Sequence, residues 1–139
     1  MSEGGTPLRA LVTVLGLDQH EAGSLAVARL LRDAGLEVVY PGRFQLPETT
    51  FEIAVQEAVD VVGVSAHSWE FLHFAGELAE RLHSSAPPIP VVVGGSVVTE
   101  ADRTEILDAG IDEAVLPTAT PEDVIEVFRR LGEQSRSAR

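Results

Sequence analysis

Asp18 and His20 stand one residue apart, with Gln19 between them and Gly23 three positions on. The pair follows an apolar run, 8–16, and precedes an amphipathic stretch that opens at Ser24. A neutral imidazole can give one ring nitrogen to a metal while a carboxylate holds the other N–H, fixing the tautomer and raising ligand basicity. The same pair can act as an acid–base dyad, or sit in a solvated loop whose Asp caps the next helix. Three further groups end apolar runs. Ser65, Ala66 and His67 follow DVVGVS, Gly94 and Gly95 follow IPVVV, and Pro117 and Thr118 follow EAVL. Ser65 can donate to a ligand or cap a helix. It lacks the Gly-x-Ser-x-Gly setting of a hydrolase nucleophile. The glycine pair lets a bulky group approach the backbone, or simply turns the chain.

The surrounding elements place these groups together. Apolar runs without alternation at 8–16, 37–40, 60–65, 89–93 and 113–116 read as strands buried on both faces. Helical periodicity predicts helices at 24–34, 47–58, 69–83, about 100–109 and 121–132. Thr99 and Thr120 are expected to cap the last two. Pro47 and Pro121 suit first-turn positions, and Gly35 and Gly110 suit helix ends. His73 and His83 are expected at the surface or half-buried, and Trp69 in the core or a crevice wall. Five alternating strand–helix units predict a three-layer α/β domain of flavodoxin-like form, with a parallel sheet in the order 2-1-3-4-5. Its ligand crevice would lie at the carboxyl ends of the strands, where all four groups fall. Residues 1–7 read as a flexible leader, 8–132 as the domain and 133–139 as a flexible tail.

Composition removes several function classes. The 139-residue chain has a formal net charge of −12, which disfavours nucleic acid phosphates. All ten basic residues are Arg, so no lysine Schiff base can form. The same absence removes a response-regulator receiver, whose chemistry uses a Lys. No Cys is present for disulfides or thiolate metal sites. No apolar run reaches the roughly 18 residues of a membrane span, and the first residues lack signal-peptide character. A cytoplasmic location is expected. Neither a Gly-x-Gly-x-x-Gly nor a Walker A loop follows the first strand.

Together, Asp18-x-His20-x-x-Gly23, Ser65 and Gly94-Gly95 resemble the cobalamin-binding domain of adenosylcobalamin-dependent mutases and methionine synthase, over about 8–131. The resemblance implies that His20 replaces the cofactor's dimethylbenzimidazole as lower cobalt ligand, with Asp18 orienting it. Gly23 would open the helix beside the displaced nucleotide tail, Ser65 would bond its base, and Gly94-Gly95 would let it pass. Gln19, Ala66, His67, Pro117 and Thr118 would complete the cofactor surface. No catalytic residue is implied here, since bond homolysis and rearrangement would occur under a separate large barrel subunit. As a free-standing unit, and in 94–98 and 117–122, the chain is similar to the small subunit of glutamate (methylaspartate) mutase. A stand-alone cobalamin carrier or sensor is the alternative. The sequence departs from the family pattern at His67 (Leu in Ser-x-Leu), Leu25 (often Lys) and Thr118 (usually Gly).

Overall fold

The computed structural model describes residues 6–14, 22–42, 46–66, 70–95 and 98–138. Strands β1 (Arg9–Val14), β2 (Glu37–Val39), β3 (Val61–Ser65), β4 (Val91–Gly94) and β5 (Glu113–Val115) alternate with helices α1 (Ala22–Asp33), α2 (Pro47–Gln56), α3 (Glu70–His83), α4 (Glu100–Asp108) and α5 (Pro121–Ser137). The sheet is wholly parallel in the order β2-β1-β3-β4-β5, as the alternation of elements predicts.

Side chains alternate between the two faces of each strand. Ala10, Val12, Val61 and Val92 pack with Ala28, Leu31, Phe128 and Leu131 beneath α1 and α5. Leu11, Val62, Val64, Val91 and Val93 pack with Ala54, Ala75, Leu78 and Leu82 on the opposite face. Burial on both sides explains why the strand sequences show no polar alternation.

Local signals set the helix ends. Thr99 and Thr120 each accept from the N–H three residues on, while Asp102 and Asp123 reach back to complete capping boxes. Pro47 and Pro121 occupy first-turn positions. Gly35 and Gly110 take φ of +99° and +108° just past α1 and α4.

The C-terminal end differs from the sequence expectation. Gly132 does not stop α5, and 133–137 continue the helix rather than fray. Gly132 packs: a Cβ there would touch Leu8 and Asp60, so its absence brings α5 close to the sheet. One turn on, Arg136 binds the fully buried Asp60 carboxylate at 2.7 Å and donates to the carbonyls of Thr6 and Pro7. Asp60 also accepts the Arg9 N–H at 2.8 Å. The side chain of Ser135 is buried, with its hydroxyl 3.3 Å from the Pro88 carbonyl.

A second ionic cluster joins α4, β5 and α5. Glu113 receives Arg103 at 3.0 Å and Arg130 at 3.1 Å, and the Ala114 N–H at 3.2 Å. Partial burial pushes the Glu113 carboxyl up, but the bonds from Arg103, Ala114 and Arg130 outweigh it, leaving the carboxyl below its ordinary value.

Removing the Arg136 guanidinium strips a charged partner from a buried carboxylate, so Arg136→Ala is expected to cost about 2–4 kcal/mol of unfolding free energy. Urea denaturation measures it, and truncation after Gly132 should cost at least as much. Glu113 stabilises the fold above the unfolded carboxylate value of about 4.3, and that contribution is lost as pH falls through its lower folded value. Glu113→Gln should therefore be less stable than wild type at pH 7. The gap should close below about pH 4 in a pH series of the same measurement.

Candidate functional site

Strand register builds a layered floor at the carboxyl end of the sheet. Val14, Ser65, Gly94 and Val115 align in one row, and Val12, Gly63, Val92 and Glu113 in the row beneath. Alternation turns both rows toward α1 and α5. Two of these eight positions are glycines, so the floor is low where β3 and β4 carry no side chain.

Above this floor is a cavity of about 200 Å³. Gly23, Ser24 and Val27 of α1 line one wall, and Val124 and Phe128 of α5 the other. Val12, Gly63, Ser65, Val92, Gly94 and Val115 contribute from the sheet, while Gly95, Leu116, Pro117 and Ala119 lie where β4 and β5 end. The lining is dominated by valine and glycine. Ser24 is fully buried, and its hydroxyl lies 3.0 Å from that of Tyr40 at the end of β2. The cavity thus lies at the carboxyl ends of the parallel strands, on the side where an open α/β sheet forms its crevice.

Five residues singled out in the sequence meet in this cavity: Gly23, Ser65, Gly94, Gly95 and Pro117. Ala66 is buried against the cluster on the α2–α3 face, outside the cavity lining. Thr118 lines a separate groove beyond β5, with Arg103, Glu113 and Arg130. Asp18, Gln19, His20, His67 and Trp69 lie outside the described residues. His73 is exposed on α3. His83 is about one-third exposed and pairs with Asp112 at 2.8 Å, at the opposite edge of the sheet. Leu25, where the family often has Lys, is 46% exposed on α1.

The glycine pair divides its work. Gly95 has φ +139°, and a Cβ there would fall 2.1 Å from the Ala66 carbonyl oxygen. It must be glycine for the loops after β3 and β4 to pass each other. A Cβ on Gly94 would make only ordinary contact with Val115, at 3.5 Å or more, so its missing side chain leaves room over the floor. Gly63 and Phe128 were not singled out. Phe128 lies across Gly63, whose Cβ would meet the ring at 2.4 Å. The available signal was a glycine inside an otherwise β-branched strand, which marks close approach of another group.

Residues 8–127 match the model of the B12 binding domain. The chain belongs to the B12-binding domain family. It is 38% identical over 136 residues to the pivalyl-CoA mutase small subunit of Xanthobacter autotrophicus, covering 98% of this chain and 91% of that one. It is 36% identical over 126 residues to the 2-hydroxyisobutanoyl-CoA mutase small subunit of Aquincola tertiaricarbonis, covering 91% and 93%. These homologues are subunits of mutases. A cobalamin-binding protein from Desulfitobacterium hafniense DCB-2 shares the fold with a TM-score of 0.77 at 17% identity, over 91% of this chain and 60% of that one.

Substitution separates glycines that shape backbone from those that shape space. Gly95→Ala and Gly63→Ala should each lose about 1–3 kcal/mol through strain and overpacking. Gly94→Ala should stay within about 1 kcal/mol of wild type, since it meets no clash. Thermal and urea melts of the three variants check the order.

Proposed function

We propose that this chain is the cofactor-binding subunit of an adenosylcobalamin-dependent carbon-skeleton mutase acting on an acyl-CoA, with a separate large barrel subunit holding the substrate. The observation that carries the reading is the apolar, glycine-floored cavity between α1 and α5, at the carboxyl ends of the strands. A flat aromatic group fits such a place: it needs area on both faces, little height and few polar partners. Dimethylbenzimidazole on a displaced cofactor tail is that kind of group.

The residues would divide as follows. His20 supplies the imidazole nitrogen for cobalt and Asp18 holds its other N–H, as the Asp-x-His spacing suggests. Gly23 and Ser24 open α1 beside the tail, and Ser65 stands at the rim of the floor. Gly94 keeps the floor low, and Val27, Val124 and Phe128 exclude water around the base. Gln19, His67, Pro117 and Thr118 belong to the surrounding cofactor surface. When bound, adenosylcobalamin supplies radical chemistry through homolysis of its cobalt–carbon bond. This chain would supply the anchorage, and the large subunit would hold the substrate. It would work in the cytoplasm; among the described residues no helix is long and apolar enough to cross a membrane.

The acyl-CoA reading is favoured over glutamate because two relatives, covered over 91% and 93% of their lengths, are named small subunits of CoA mutases. The likeness of 94–98 and 117–122 to the glutamate mutase small subunit is compatible with a common ancestor of these small subunits.

Titration with cobalamin should give the absorption spectrum of a base-off, imidazole-ligated complex. His20→Ala should lose that spectrum and at least about ten-fold in affinity, the loss of one good ligand interaction. Retention of both would remove His20 as the ligand. Gly94→Ala should weaken cobalamin binding while remaining folded. Co-purification with a large mutase subunit, and turnover of a branched acyl-CoA rather than glutamate, would support the mutase assignment. Tight cofactor binding with no such partner would favour a carrier or sensor.

A further inference from the structure

We infer that Phe128, laid across Gly63, sets the depth of the slot and makes it selective for a weakly polar bicyclic base of the benzimidazole type over a purine-type base. The inference deepens the cobalamin-binding reading above and rests on it. Three features carry it.

The first is closure. A Cβ on Gly63 would stand 2.4 Å from Phe128 Cζ and 2.7 Å from Cε2, so the ring edge lies directly on the strand. No planar base can slide between them. The slot therefore ends at the row of Val12, Gly63 and Val92, one row below Ser65 and Gly94. Phe128 is itself 4% exposed and anchored in the core cluster with Leu131, so it is a fixed stop.

The second is size. An apolar cavity of about 150 Å³ accommodates benzene. At about 200 Å³, this one suits a single fused ring system with little space left over.

The third is polarity. Among the described residues that line the cavity, Ser24 and Ser65 bring the only polar side chains. The Ser24 hydroxyl already lies 3.0 Å from Tyr40. Adenine carries an exocyclic amine and additional ring nitrogens, each of which gives up water on entry. With valine and phenylalanine around them, those groups lose more than they regain. The methylated benzene ring of dimethylbenzimidazole instead buries apolar surface against the same walls.

The test titrates wild type, Phe128→Leu and Phe128→Ala with three corrinoids: cobalamin, its analogue with adenine as lower base, and cobinamide, which has no lower base. Calorimetry gives the affinities and absorption spectra the ligation state. Wild type should bind cobalamin at least about ten-fold tighter than the adenine analogue, the equivalent of one forfeited hydrogen bond. Phe128→Ala should narrow that ratio by about three-fold or more while leaving cobinamide affinity within about two-fold. Phe128→Leu, which keeps α5 anchored by an apolar side chain, should move the ratio the same way by less. Equal wild-type affinity for the two bases overturns the selectivity but leaves the cobalamin reading standing. A Phe128→Ala variant that weakens all three ligands equally leaves the ratio unchanged and overturns Phe128 as its source, since the role of the ring would then be structural. Failure of wild type to bind any of the three corrinoids overturns the proposed function as well.

Discussion

A parallel sheet sandwiched between helices must fill both of its faces, and here one face has two gaps. Gly63 and Gly94 present no side chain toward α1 and α5, in successive rows of adjacent strands. Packed interiors do not tolerate such gaps without cause. Phe128 fills the first. The second stays open as the upper part of a cavity. The placement of α5, the position of the slot and the division of labour between the glycines all follow from how these two vacancies are treated. The opposite face, beneath α2 and α3, is closed by Val, Leu and Ala side chains.

Much of this architecture is legible in the sequence because its signals are local. Strands show as apolar runs, caps as Thr three residues before Asp, and helix ends as glycines with positive φ. The position of the crevice also follows, since the strand order places every strand end on one edge. What is not legible depends on register between distant segments. That Gly63 lies beside Val12 and Val92 and beneath Phe128 requires knowing how four stretches, spread over more than a hundred residues, align. Gly132 misleads for the same reason. A glycine after a helical run resembles a stop, and only its approach to Leu8 and Asp60 shows it to be a packing residue. Ala66 and Thr118 adjoin strand ends in sequence, yet one faces the other side of the sheet and the other lies beyond β5.

The ion pairs and the cavity are built from different side chains. The ion pairs of Asp60 with Arg136 and of Glu113 with Arg103 and Arg130 use side chains that do not line the cavity, although Glu113 ends the lower row of its floor. The cavity walls include the Gly95–Ala66 crossing and the Ser24–Tyr40 contact. Binding sites draw on the less constrained parts of a fold, where an arriving ligand completes the packing. An apolar slot between two helices is such a part, and its occupant would serve as the missing core of that layer.

The Arg136 clamp has a topological consequence. By holding the Thr6 and Pro7 carbonyls and the Asp60 carboxylate together, it gathers the two ends of the described chain at the edge where the strands begin. The slot opens at the other edge. Both described ends thus lie at the pole remote from the slot. One guanidinium therefore fixes the segment before β1, the start of β3 and the last turn of α5 to each other, and it does so without using any side chain of the slot.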